Sequence, residues 1–212
     1  MGLIAAACLI ETLSMLTLST FPSLIPVFQD AWGLSNTEAG TISGLFFAGE
    51  LISVTLLSAM MDRWDGRPIF LIGLFVGCLS GIGFLIATGF WSAGAWRFLQ
   101  GFALGATYMP GLKILTDHLP PEYRSRGTSF YTATYYLAAG FSYFLALETE
   151  PLFGWQTSFL LASLGPFVGL MVAWKTIPSS PPPPQEGNTP VKVFDFSGAL
   201  KNRKAIGFSL LY

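Results

Sequence analysis

Charge is what this sequence has least of. Of its 212 residues only 11% are Asp, Glu, Lys or Arg, while 52% are hydrophobic and 15% aromatic. Soluble domains carry roughly 25% charged residues. A water-soluble fold is therefore excluded, because too few charges exist to cover its surface, and the mean hydropathy of +0.56 points the same way. Histidine is nearly missing: the one residue, His118, is expected in a loop. Asp30, Asp62, Asp65, Asp117 and Asp195 are expected at helix ends or in loops. A Ser–His pair, an aspartate pair or a His metal cluster inside a bilayer therefore has no residues to build it, and enzyme chemistry has little support. The two cysteines, Cys8 and Cys78, lie in apolar runs without metal-site spacing and read as buried thiols. No basic stretch precedes the first apolar run, and that run is too long for a cleavable signal. Neither a cofactor nor a metal is expected.

Long apolar runs are what the sequence has instead. They lie at about 3–28, 40–61, 68–89, 92–115, 128–147 and 155–176, each near the ~20 residues that cross a hydrocarbon core. The expectation is an all-α, multi-pass membrane protein with six transmembrane helices in residues 1–177. The segment IPSSPPPPQEGNTP (177–190) favours extended polyproline II over helix. With the basic stretch FSGALKNRKA (196–205), it makes a cytoplasmic Pro-rich and basic linker over 178–204. Residues 205–212 then read as the truncated start of a seventh helix, too short to span, so the chain is expected to be a fragment of a longer protein.

Orientation follows from where the cations fall. With the N-terminus inside, Arg63, Arg67, Arg124, Arg126, Lys192, Lys201, Arg203 and Lys204 lie in inner loops, with Lys113 and Lys175 at inner helix ends. The outer connections, about 29–39, 90–91 and 148–154, hold no Lys or Arg but do hold Asp30, Glu38, Glu148 and Glu150. That asymmetry matches the positive-inside rule. Trp32, Trp91, Trp96 and Trp155 fall at outer ends, and Trp64 and Trp174 at inner ends, where indoles favour the headgroup level. The expected location is the plasma or inner membrane, with a cytoplasmic N-terminus.

An internal repeat is visible. FPSLIPVFQDAWGLSNTEAGT (21–41) and MPGLKILTDHLPPEYRSRGT (109–128) share an aromatic or Met, then Pro, a small residue and Leu, a later Asp, and Gly-Thr at the next helix. Two copies of a three-helix unit have opposite orientations, a signature of secondary transporters. Helices 3 and 6 are the most apolar and suit the lipid-facing periphery. Thr128, Tyr131, Thr132, Tyr135 and Ser142 share one face of helix 5, and a polar face in lipid must turn to protein or water. The small-residue pairs Gly40/Gly44, Gly73/Gly77/Gly81 and Gly101/Gly105 are expected to pack helices closely.

Three ionisable residues lie within the runs. Glu50 sits ten residues from the outer end of helix 2, near the midplane. A charge there costs ~2.5–3.5 kcal/mol on insertion scales, which protonation or the hydroxyls of Ser43 and Ser53 would relieve. A satisfied structural Glu and a proton- or cation-linked carboxylate are about equally supported. Arg97, in the outer half of helix 4, cannot deprotonate and needs a carboxylate, backbone carbonyls or water. Its alternative is snorkelling to the outer interface beside Trp96. Glu11, on helix 1, ranks below both because it can snorkel inward.

The turn between helices 2 and 3, SAMMDRWDGRP, resembles the G-x-x-x-D-R-x-G-R loop of the major facilitator superfamily through Asp62, Arg63, Gly66 and Arg67. Ser58 replaces the glycine, and one extra residue, Trp64 or Asp65, separates Asp-Arg from Gly-Arg. Arg97, Gln100 and Gly101 resemble the family's R-x-x-Q-G element in helix 4. LIPVFQDAWGLSNTEAG, FLQGFALGA and FGWQTSFLL are similar to the family's stretches at the same helix ends. The resemblance implies the N-terminal half of a twelve-helix fold with the start of helix 7. Helices 1 and 4 would line the solute path and helices 2 and 5 would flank it. It also implies that the Asp62–Arg67 loop latches the cytoplasmic side to the other half. Helix 5 lacks a Gly-Pro element at Ala139–Phe141, which argues against drug efflux.

The function expected is a secondary active permease moving a small solute by alternating access, coupled to an ion or proton. The expected pathway residues are Arg97, Glu50, Gln100, Tyr108, Tyr135 and Glu11, with Asp62, Arg63, Gly66 and Arg67 in the gating loop. The expected partners are a small-molecule solute, the lipid bilayer and the C-terminal half of the same protein, with no nucleic acid. The alternatives are a non-transporting receptor or scaffold derived from a transporter half and, least supported, a membrane-embedded enzyme.

Overall fold

The computed structural model describes residues 2–61 and 63–179, and these form helices and no strands. Asp62, the linker from 180 onward and the helix 7 start at 205–212 lie outside the described residues.

The first apolar run is not the continuous helix expected over 3–28. It is interrupted: α1 (Gly2–Ser14), a 3-10 turn (Met15–Thr17), α2 (Thr20–Ser23) and α3 (Ile25–Trp32). The cause is local. Proline has no N–H and displaces the carbonyl four residues back, so Pro22 cannot pair the Leu18 carbonyl and Pro26 cannot pair that of Pro22. Gly33, at φ 66°, ends α3 in the left-handed region. The next helix, α4 (Asn36–Met61), starts four residues before the expected 40. Ser35 and Glu38 form a reciprocal cap there: the Ser35 amide and hydroxyl donate to the Glu38 carboxylate at 2.9 and 2.7 Å, and the Glu38 amide donates to Ser35 Oγ at 3.2 Å.

Helix α5 (Gly66–Gly83) continues through a 3-10 turn at Phe84–Ile86 and leads to α6 (Phe90–His118). The last element, α7, spans Pro121–Thr176 but is broken at Gly154 (φ 81°, ψ 163°). Its two limbs, 121–153 and 155–176, run in opposite directions along the first interrupted helix. On the first limb, Tyr131 reaches Glu11 and Ser142 reaches Leu16. On the second, Gly165 meets the Leu13 carbonyl and Leu16, and Ala173 packs with Ile10. Among the described residues, three helical stretches are long and apolar enough to cross a membrane: Asn36–Leu57, Gly66–Ile86 and Pro121–Thr176. Large apolar side chains face outward on α5 (Ile72, Phe75, Leu79) and on the second limb of α7 (Leu164, Phe167, Met171), as lipid-facing helices require.

Glycine decides the closest approaches. A Cβ on Gly101 would land on the Phe46 carbonyl, and one on Gly73 would come within 2.8 Å of the Ala106 backbone. The Gly101/Gly105 pair thus seats α6 against α4, while Gly73/Gly77 seats α5 against α6. The expectation fails at Gly40/Gly44, where a Cβ would meet nothing within 4 Å. A small-residue spacing shows that close approach is sterically allowed, not that a partner is present.

At the end that holds Trp32, an aromatic cluster ties α3 to α5 and α7. Phe84 stacks on Phe159 at 4.1 Å between centroids, Phe28 stacks on Trp32 at 4.6 Å, and Trp155 closes edge-on against both Phe28 and Trp32. Such pairs add ~0.5–1.5 kcal/mol each beyond their buried area.

Candidate solute cleft and buried charges

Arg97 projects from α6 into the break in the first helix. Its guanidinium donates to the carbonyls of Thr17 and Leu18 at 3.2 Å each and to Gln100 Oε1 at 2.7 Å. The Leu18 carbonyl is the acceptor that Pro22 leaves without a helical partner, so the charge caps a defect that the proline creates. Phe46 and Phe21 lie against the guanidinium carbon at 4.4 and 5.5 Å from their centroids. Arg97 is 1% exposed, which overturns the snorkelling alternative. Its Nε is buried without a partner. Gln100, held by Arg97, also donates to the Ser80 carbonyl at 3.4 Å.

The other side of the break is stitched by Ser142, whose hydroxyl donates to the Leu16 carbonyl at 2.6 Å and accepts from the Ser19 amide at 3.1 Å. A turn with frayed backbone groups is thereby satisfied from two neighbouring helices, as irregular backbone at membrane depth requires.

Glu11 does not snorkel. It is 0% exposed, and Tyr131 donates its hydroxyl to one carboxyl oxygen at 2.7 Å while the other oxygen is buried without a partner. The correction has a simple cause: α1 packs against both limbs of α7, so a side chain one turn before the break has no water to reach. Tyr131 in turn lies beside Tyr108, with ring centroids 5.6 Å apart.

Glu50 behaves differently. Neither expected hydroxyl serves it: Ser43 donates to the Ala39 carbonyl, and Ser53 faces α6 beside Gly105 with its Oγ buried and unpartnered. The half-buried carboxylate makes no hydrogen bond or ion pair among the described residues. It lines a cleft of about 240 Å3 with Tyr108, Thr132, Tyr135 and Tyr136. Tyr108 and Tyr135 meet edge-on at 5.4 Å, as do Tyr135 and Tyr136 at 5.3 Å. Tyr108 and Thr132 hydroxyls lie 3.5 Å apart. The pathway residues therefore separate. Glu50, Tyr108 and Tyr135 share the cleft; Arg97 and Gln100 lie at the helix break; Glu11 lies behind Tyr131. Thr132 and Tyr136 join the cleft without being among the expected pathway residues, although the polar-aromatic run YTATYY (131–136) signals them.

In the turn between α4 and α5, Asp65 caps α5 by accepting from the Arg67 amide at 2.9 Å, so the added residue of the turn has a structural use. Arg67 donates to the Trp174 carbonyl at 2.8 Å, capping the last turn of α7. Gly66 is buried, with Ile114 Cγ1 3.6 Å from where its Cβ would lie. Arg63 is exposed in the turn. These contacts account for Asp65 and Arg67: a carboxylate suits a helix start and a guanidinium a helix end.

The sequence model of the Major Facilitator Superfamily matches residues 7–212. The chain belongs to that superfamily. A gentisate transporter of Corynebacterium glutamicum is 32% identical over 154 residues, 70% of this chain and 34% of that protein. A 4-hydroxybenzoate transporter of Pseudomonas aeruginosa is 23% identical over 157 residues, 74% of this chain and 35% of that protein. Among solved structures, a bacterial homologue of the human lysosomal transporter Spinster superposes with a TM-score of 0.74 at 19% identity, covering 94% of this chain and 48% of that one. The human organic anion transporter MFSD10 superposes with a TM-score of 0.72 at 16% identity, covering 84% and 47%. The chain thus spans about a third of the length of these curated relatives. This superfamily member is an all-α integral membrane protein, and its relatives are transporters rather than enzymes.

Proposed function

We propose that the protein is a secondary active transporter that moves a small hydroxylated aromatic carboxylate by alternating access. In this reading the chain supplies the N-terminal six crossings, arranged as two inverted three-helix repeats with the N-terminus in the cytoplasm of a cell with an inner or plasma membrane. The matched stretches are about a third of the relatives' length, and a C-terminal half would close the path across the cleft. Residues 178–204 would link the two halves, and 205–212 would begin the seventh helix. The loop with Asp62, Arg63, Gly66 and Arg67 would latch the cytoplasmic side.

The observation that carries this reading is the cleft between α4, α6 and the first limb of α7. It gathers a carboxylate, three tyrosines and a threonine at membrane depth, where lipid alone would exclude them. The names of the relatives supply the solute class. Coupling to a proton is assigned to Glu11, a buried carboxyl with one oxygen bonded to Tyr131 and the other without a partner. Intramembrane carboxyls of this kind are functional suspects by default. Arg97 takes a positioning role, holding the broken helix rather than the solute.

The test is uptake of labelled gentisate and 4-hydroxybenzoate by the full-length protein in proteoliposomes, with and without an inward proton gradient. Gradient-driven accumulation is the expected result. Binding without movement would favour the receptor or scaffold reading, and absence of both would remove the solute class.

A further inference from the structure

We infer that the Glu50 cleft holds the hydroxyl edge of the aromatic solute, and that the carboxylate of the solute points away from this half of the protein. The inference rests on the transporter reading and deepens it by assigning an orientation and a specificity-determining residue.

The argument is one of charge inventory. No Lys or Arg lines the cleft among the described residues; its polar groups are the Glu50 carboxylate and the hydroxyls of Tyr108, Thr132, Tyr135 and Tyr136. Of the two Lys and Arg residues on α6, Arg97 is buried in the break of the first helix and already serves three acceptors. Lys113, the nearer of the two to Tyr108 along the helix, is paired with Asp117 at 2.6 Å. A solute carboxylate placed in the cleft would meet an ionised Glu50 as a like charge in a low-dielectric setting, with four hydroxyls but no cation beside it to offset the repulsion.

A phenolic hydroxyl has the opposite chemistry. It can donate to Glu50, which has no partner among the described residues, and accept from a tyrosine or threonine hydroxyl. The edge-on rings of Tyr108, Tyr135 and Tyr136 present both edges and faces, which suit a planar ring. A site that hydrogen-bonds a solute hydroxyl rejects the analogue lacking it, because the buried acceptor is then left unpaired.

The experiment is a competition series on the full-length protein in proteoliposomes, measuring uptake of labelled 4-hydroxybenzoate against unlabelled 4-hydroxybenzoate, benzoate, 4-methoxybenzoate and benzylamine. The wild type is expected to favour 4-hydroxybenzoate over benzoate and 4-methoxybenzoate by about tenfold or more. Glu50→Ala is expected to bring that ratio close to one, and the near-isosteric Glu50→Gln, which keeps one acceptor oxygen, to lower it in part. Equal competition by benzoate and 4-hydroxybenzoate in the wild type would overturn the orientation while leaving the transporter reading intact, and this arm needs no variant to fold. An unchanged ratio in Glu50→Gln or Glu50→Ala would remove Glu50 from the contact. Uptake of no aromatic carboxylate at all would overturn both readings. Inhibition by benzylamine and by none of the acids would mark the cleft as a cation site and also overturn the inference.

Discussion

Arg97 and Glu50 lie within a few turns of each other on packed helices, and the fold treats them in opposite ways. Arg97 is sealed inside protein, with two carbonyls, an amide oxygen and two aromatic faces around it. Glu50 faces a cleft and makes no hydrogen bond or ion pair among the described residues. Both are expensive at membrane depth. The charge whose partners are all internal holds a helix break together, whereas the other is left open to the cleft. Glu11 lies between these extremes, with one oxygen satisfied and one not.

The largest effect should come from breaking the satisfied charge. Arg97→Ala leaves the Thr17 and Leu18 carbonyls and the Gln100 amide oxygen without their donor, and each buried acceptor left unsatisfied should cost about 1–3 kcal/mol of stability. A melting curve of the detergent-solubilised full-length protein should fall by several degrees, and a wild-type curve would show that the break holds without its cap. The second effect is functional. Glu11→Gln keeps an acceptor for Tyr131, so folding should survive, but accumulation driven by a proton gradient should drop to the level seen without one while solute exchange persists. Undiminished accumulation would take the proton away from Glu11.

Smaller effects sharpen the packing side of the comparison. Gly101→Ala places a methyl group on the Phe46 carbonyl, and overpacking of this kind costs about 1–3 kcal/mol, read as a lower melting temperature. Asp65→Ala removes the cap of α5 and should cost ~1 kcal/mol. Gly44→Ala should be neutral or stabilising by about 0.5–1 kcal/mol, since the methyl group meets nothing and helix propensity improves. A marked loss of stability there would reveal a partner packed on the Gly40/Gly44 stripe.

Much of the architecture was legible because it depends on neighbouring residues. The turn at SAMMDRWDGRP and the break near Gly154 follow from runs of apolar residues and the groups that interrupt them. The start of α4 lies four residues before its apolar run, because the Ser35–Glu38 cap and not apolarity sets the boundary. The break in the first helix has a local signal too, Pro22 and Pro26, inside an otherwise apolar run. The cleft was half legible: Glu50, Tyr108 and Tyr135 stand out by type and depth, but Thr132 and Tyr136 join them only once α7 packs on α6.

What the sequence determined by itself is that this chain resides in lipid as helices, since a backbone with so few charged side chains can satisfy its polar groups there only by pairing them internally. It also singled out Glu11, Glu50 and Arg97, because ionisable groups are rare in such runs. Which of these is capped, half-capped or open was decided by tertiary structure alone. Apart from Gln100, three residues from Arg97, their partners come from 79 or more residues away, as Leu18 to Arg97, or 120 away, as Tyr131 to Glu11. A contact between residues so far apart has no local periodicity to betray it and exists only after the helices have packed.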